Sequence, residues 1–187
     1  MPAIQVLQTS RLHLRDWRES DLPAHAAMNA DARVTEFLPA FIRAESDQRV
    51  ARIREHFDLH GFGQWAVELI DGATFIGSVG LSVVSFQSHF TPCVEVGWRL
   101  AYEHWGRGYA TEAATVAIDF GFETLKLDEI VSFTVPENLR SRRVMERLGM
   151  TRSEADDFEH PLLAEGHRLR RHVLYRLSRA TQTLSPT

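Results

Sequence analysis

Residues 94–125, VEVGWRLAYEHWGRGYATEAATVAIDFGFETL, constrain the fold of this chain more than any other stretch. They open in strict alternation. Val94, Val96, Trp98 and Leu100 fall on one face of a strand, and Glu95, Gly97 and Arg99 on the other. A polar turn (Tyr102, Glu103, His104) leads into Trp105-Gly106-Arg107-Gly108-Tyr109-Ala110, after which Ala110, Ala113, Ala114, Ala117, Ile118 and Gly121 recur at helical spacing. A helix that opens on a glycine loop aims unpaired backbone N–H groups, and the positive end of its dipole, at one spot. Phosphates bind such spots, and glycine lets the backbone come close because no Cβ intervenes. Strand, glycine turn and alanine-rich helix therefore read as a pyrophosphate cradle.

Two kinds of cradle are excluded. A nucleoside-triphosphate P-loop needs Gly-Lys followed by Ser or Thr, and a dinucleotide fingerprint needs a third glycine where Thr111 stands. The 187 residues are enough for one domain with a core of its own, and 44% of them are hydrophobic. A net charge of -4 provides no global basic field for nucleic acid or anionic membrane. The single cysteine, Cys93, excludes an intramolecular disulfide and a multi-cysteine zinc site. His56 and His60 stand four apart without a third metal ligand in view, so no metal is expected. With no leader pattern and no apolar run long enough to span a bilayer, the expected location is cytoplasmic.

Along the chain, residues 11–15 alternate as a strand, and Ser20-Asp21 can cap a helix that holds Pro23 in its first turn. Residues 39–44 read as a loop, and a second helix then carries Val50, Ile53 and Phe57 and stops at Gly61. Trp65, Val67 and Leu69 alternate, Asp71-Gly72 signals a hairpin, and Phe75 to Val83 forms the next strand. A polar loop over 85–92 precedes the strand at Val94. Residues 130–135 form a parallel neighbour of that strand, reached through the alanine-rich helix. Asn138 caps a helix with Leu139, Val144, Met145 and Leu148 on its apolar face, and Gly149 ends it. Residues 150–153 start a strand, 154–159 form an acidic loop, Val173, Tyr175 and Leu177 define the last strand, and 181–187 form a frayed tail.

Several of these stretches carry a family likeness. The glycine loop resembles motif A of the GNAT N-acetyltransferases, roughly Q/R-x-x-G-x-G/A, with Trp105 where Gln or Arg is usual. Its variant Trp-Gly-x-Gly-Tyr-Ala-Thr-Glu-Ala resembles the ribosomal-protein N-terminal acetyltransferase (RimJ/RimL-like) branch. So does the opening Thr9-x-Arg11-Leu12-x-Leu14-Arg15, although Trp17 departs from the proline common near that point. Residues 138–150 resemble motif B, Asn-x-x-Ser-x-x-x-hydrophobic-x-x-x-Gly-Met, and residues 166–175 the end of the same branch. The resemblance implies an α+β GNAT fold: one domain over 1–187 with a mixed, mostly antiparallel sheet of about six to seven strands, about four helices and splayed central strands.

It also implies a reaction. Acetyl-CoA would give its acetyl group directly to a primary amine, either a protein N-terminal α-amine or a small molecule, so Cys93 need not be a nucleophile. Carried over, Val96, Gly97, Trp98, Arg99 and Leu100 lie along the thioester. Trp105, Gly106, Arg107, Gly108, Tyr109, Ala110 and Thr111 hold the pyrophosphate. Asn138 and Ser141 fall where the family binds pantetheine and protonates the departing thiolate; Ser141 could instead be an idle helix hydroxyl. Glu95 is the candidate base through a water, the alternatives being a solvent-facing or Arg99-paired carboxylate, with His104 a rival. Arg107, Arg142 and Arg143 are candidate phosphate partners, or else a solvated basic face. Trp17, Phe37 and Phe41 either border the acceptor or simply pack. Family members are often homodimers. The other class of function is a non-catalytic acyl-CoA-binding or regulatory module; the retained Asn138/Ser141 pair favours the enzyme.

Overall fold

Residues 4–182 are described by the computed structural model, and their alternating segments pair into one sheet. In chain order the strands are β1 (Leu7–Gln8), β2 (Leu12–Arg15), β3 (Gln64–Leu69), β4 (Thr74–Val83), β5 (Val94–Leu100), β6 (Glu129–Thr134), β7 (Thr151–Arg152), β8 (Phe158–Glu159) and β9 (Arg171–Ser178). They lie in the order β1-β2-β3-β4-β5-β6-β9-β7, and β8 also pairs with β9. From β1 to β5 the sheet is an antiparallel meander, β6 runs parallel to β5, and β9 returns antiparallel to β6. The mixed α+β architecture expected from the pattern is the one observed. Strands β2, β3, β4, β5, β6 and β9 have four residues or more; β1, β7 and β8 are two-residue additions. β8 lies inside the segment read as an acidic loop, because Phe158 is buried and Glu159 pairs with Arg171.

The helices are α1 (Leu22–Ala30), α2 (Arg43–His60), α3 (Tyr109–Glu123), α4 (Leu139–Arg147) and the short α5 (Arg179–Gln182). Of the tail expected to fray, residues 181–182 belong to α5 and residues 183–187 lie outside the described residues. α2 stops as expected at Gly61, whose left-handed φ of 75° suits a residue without Cβ. The start of α1 differs from expectation. Asp21 does not cap it; its carboxylate is buried, accepts from Arg18 N–H at 2.8 Å and is paired with Arg15. Arg15 also reaches Glu68 at 2.7 Å. Burial alone would raise the Asp21 carboxyl, but the guanidinium and the Arg18 amide outweigh it and hold it below the usual range.

α3 lies against the sheet because its sequence leaves room for it. Ala113, Ala114 and Ala117 are fully buried, and a Cβ on Gly121 would come within 2.7 Å of Ile130 and 3.1 Å of Leu81. Leu81 stands opposite Val96 on β5, so the Val94/Val96 face of that strand looks at α3 and the Glu95/Gly97/Arg99 face looks away. Trp65, wholly buried, meets Phe57 of α2 and Phe120 of α3 edge-on, each at 5.4 Å between ring centres.

Candidate active site

The site begins where β5 and β6 part. They share one bridge, Glu95 opposite Val131, after which Ser132, Phe133 and Thr134 pair with β9 and have no partner on β5 among the described residues. The free edge of β5 follows from its register. Val84 N–H donates to Cys93 O and Ala101 N–H to Ile76 O, so alternation turns the amides of Glu95, Gly97 and Arg99 toward β4. The bridge to Val131 is then made by the residues flanking Glu95, and it occupies the Val96 amide. Trp98 and Leu100 are left with N–H groups facing the gap. Trp105 Nε1–H closes the far end by donating to Leu100 O at 2.8 Å.

Beyond the gap stands the glycine loop. Gly106 and Gly108 hold φ of 73° and 81°, values that favour glycine, and a Cβ at Gly106 would meet nothing within 4 Å. Gly108 is the N-cap of α3 and supplies no side-chain cap; the first helical bond runs from Glu112 N–H to Gly108 O. The amides of Tyr109, Ala110 and Thr111 therefore precede any helical acceptor, at the positive end of the helix. Arg11 braces the loop from behind. It donates from Nε to Glu112 at 2.7 Å and from its terminal nitrogen to Arg107 O at 3.1 Å, and it lies over the Tyr109 ring.

The start of α4 forms the facing wall. Asn138 accepts from Ser141 N–H at 3.2 Å and donates from Nδ2 to Thr134 Oγ1 and Ser141 Oγ at 3.0 and 3.1 Å. Because the Ser141 oxygen accepts that bond, its O–H is left to donate elsewhere. Arg140, Arg143 and Arg147 share one helical face and line the same cleft, and Arg140 stacks on Trp105 at 4.8 Å and pairs with Glu36. The cleft, of about 360 Å³, is bounded by Val34, Phe37 and Leu38 before α2, by Trp98, Arg99 and Leu100, by the glycine loop, and by Asn138, Ser141 and Val144.

On the α1/α2 side of β5 lies a buried polar layer. Arg99 donates to Asn29 Oδ1, Asn29 donates to Ser46 Oγ at 2.8 Å, and Ser46 Oγ lies 2.9 Å from His25 Nδ1. Burial, then Arg49 and Arg99, push His25 down to about 4, so it is neutral at pH 7. Burial pushes the Glu95 carboxyl up to about 8 against the opposing pull of Arg49, and burial followed by Arg49 brings Arg99 down to about 9. Gly97 matters here for its missing side chain: a Cβ would lie 3.1 Å from Gln64 Nε2 and 3.9 Å from Glu95 Oε1.

Most of the residues singled out from sequence meet at the cleft: Trp98, Arg99, Leu100, Trp105, Gly106, Gly108, Tyr109, Ala110, Thr111, Asn138, Ser141 and Arg143. Four expected residues do not line it. Val96 is buried against α3 with its amide in the bridge, and Gly97 turns its amide to β4. Glu95 shares the face of Arg99 but lies farther back along β5, outside the lining, and Arg107 gives its carbonyl to Arg11. Arg142 is likewise diverted, donating to Tyr175 Oη and Pro136 O at 3.2 and 3.0 Å. Of the aromatics, Phe37 lines the cleft, Phe41 lies over Arg49 and Arg99, and Trp17 is core. His104 lines the cleft, but burial lowers its pKa and its Nδ1 has no hydrogen-bond partner among the described residues. Burial pushes the Cys93 thiol up to about 11, so it is no ready nucleophile. Arg140, Arg147, Val34 and Leu38 were not among the residues singled out from sequence; for the arginines, the spacing of three along α4 was the available signal.

Comparison with known proteins adds family context. The acetyltransferase (GNAT) domain family matches residues 11–151. An uncharacterised N-acetyltransferase of Bacillus subtilis, YnaD, is 28% identical over 146 residues, 78% of this chain and 82% of its own. The crystal structure of an acetyltransferase from Agrobacterium tumefaciens superposes with a TM-score of 0.76 at 30% identity, covering 94% of this chain and 95% of that one. The ribosomal-protein acetyltransferase RimL, solved in complex with coenzyme A, shares the fold at 14% identity and a TM-score of 0.73, covering 93% and 98%.

Proposed function

The chain belongs to the acetyltransferase (GNAT) family, whose members use acetyl-CoA, and on that footing we propose that it moves acetyl from acetyl-CoA directly to a primary amine without an acyl-enzyme. One observation carries the proposal: an uncapped α3 N-terminus on an open glycine loop, at the mouth of the gap beside β5. The Tyr109, Ala110 and Thr111 amides and Arg143 would hold the diphosphate, and the Trp98 and Leu100 amides would take the pantetheine and the acetyl oxygen. The amine nitrogen attacks the thioester carbon, forming C–N, and the C–S pair leaves with sulfur. Ser141 O–H is free to donate to that sulfur. The proton lost by nitrogen passes through water to Glu95. Much of the rate then comes from holding the two reactants together. The proposed setting is a single cytoplasmic domain, a reading supported by one continuous sheet and by the absence, among the described residues, of any helix able to cross a membrane.

Calorimetric titration with coenzyme A, followed by an amine screen with acetyl-CoA, tests this. Micromolar binding and turnover of at least one amine are expected. No association with coenzyme A would end the proposal, and binding without turnover on any amine would leave only a binding role. Ser141→Ala should lower kcat about 10- to 100-fold while changing coenzyme affinity little, since it removes a donor to the leaving group alone. An unchanged kcat would take the hydroxyl out of the mechanism.

A further inference from the structure

The polar layer behind β5 carries more positive charge than its own residues balance. Arg49 on α2 and Arg99 on β5 both lie over the Phe41 ring, at 5.9 and 5.4 Å from its centre. Arg49 keeps a partly open surface, yet it is deep enough that burial lowers its pKa. Among the described residues it makes neither a hydrogen bond nor an ion pair, although a guanidinium offers five N–H donors. Arg99 spends one donor on the neutral Asn29 amide and, among the described residues, has no carboxylate partner. Two of the acids nearby are already engaged: Asp21 belongs to Arg15, and Asp47 is held by Arg43 at 2.8 Å. Glu95 is the acid that acts on Arg49, and burial raises its carboxyl against the pull of that guanidinium. The neutral His25 and the Ser46 hydroxyl border the same layer, and Arg52 adds a further positive charge acting on Arg49.

Buried charges in folded proteins are ordinarily matched, because an unpaired one is costly. Two guanidiniums stacked on one ring, with the second also lining the cleft, form a two-pronged seat for an anion. We propose that the acceptor is a small amine that also bears a carboxylate, an amino acid, and that Arg49 and Arg99 bind that carboxylate. The proposal rests on the acetyl-transfer reading for the amine half of the molecule. A small molecule fits better than a chain end, because Phe41 covers both guanidiniums and its segment is tied back by Phe41 N–H to Asn29 O. A polyamine is disfavoured, since it would bring cations to a site already positive.

Acetyl transfer should be compared among the standard L-amino acids, their carboxamides, spermidine and a short peptide with neutral side chains. At least one amino acid should exceed its own carboxamide by about 30-fold in kcat/KM, chiefly through KM, as expected for a charge-assisted contact. Arg49→Gln should collapse that ratio to within about 3-fold while Arg49→Lys retains most of it. Carboxamides, spermidine or the peptide doing as well as the free acids would overturn the proposal. A second measurement does not need turnover: calorimetric titration with N-acetyl amino acids and with their amides. Tighter binding of the acids, lost in Arg49→Gln, would support the carboxylate seat even if no amine were acetylated; equal binding would sink it even if amines were.

Discussion

Replacing Gly108 by valine is expected to weaken coenzyme A binding by at least about 100-fold, equivalent to about 2.8 kcal/mol. Two effects add. Gly108 caps α3 at φ 81°, where a β-branched residue is strained by about 1–2 kcal/mol, and relaxing that strain re-aims the Tyr109, Ala110 and Thr111 amides. The protein's own packing hardly opposes the new side chain, since the nearest atom to a Cβ there is Arg11 at 3.6 Å. The valine's Cβ would lie beside Arg11, so the expected loss comes from the re-aimed amides, which a diphosphate must approach closely. Each charge-assisted hydrogen bond lost is worth about 1.5–3 kcal/mol, so losing two already exceeds the predicted change. Calorimetry measures the affinity, and thermal unfolding separates the strain from the binding loss. If the variant binds coenzyme A like the parent, the anion is held elsewhere and the assignment of the loop fails.

How far the chain could be read depended on whether the signal was local. The turn at Gly72, the stop at Gly61, the cap at Asn138 and the alternation of β3, β4 and β5 are each written in a few consecutive residues, and each stands in the structure. The glycine loop was legible for the same reason. Direction along β5 was not. Whether Val96, Gly97 or Trp98 turns its amide to the gap depends on the parity of pairing with β4 and on where the single bridge to β6 falls. Both are long-range facts. Likewise Asp21 has the sequence of a helix cap, but it becomes an ion-pair partner because β2 and β3 bring Arg15 and Glu68 beside it. The anion seat needed α2 and β5 together, and no local pattern links Arg49 to Arg99.

Glu95→Gln should slow the reaction and stabilise the protein, each with its own dependence on pH. As a base, Glu95 works only when ionised. The parent's kcat/KM should then include a rise near pH 8, and the variant should lose that rise together with about 100-fold in rate above it. Stability runs the other way. Burial raises the folded carboxyl from 4.5 to about 8, so below pH 4.5 both folded and unfolded chains hold the proton and nothing is lost. As pH climbs toward 8 the unfolded chain ionises freely while the folded one cannot, and the parent loses stability until its own carboxyl ionises. Glutamine has nothing to ionise. The variant should match the parent near pH 4 and exceed it by on the order of 4–5 kcal/mol at pH 8 and above, measured by urea unfolding across that range. A gap that stays flat with pH would mean that the carboxyl is better solvated than its place behind β5 implies. The same electrostatics link the base to the anion seat. Arg49 is the charge that holds Glu95 down, so a carboxylate bound on Arg49 would offset that pull and raise the proton affinity of Glu95 as the acceptor settles. Saturating amino acid should therefore move the kinetic rise to higher pH, and Arg49→Gln should show the higher value without any acceptor.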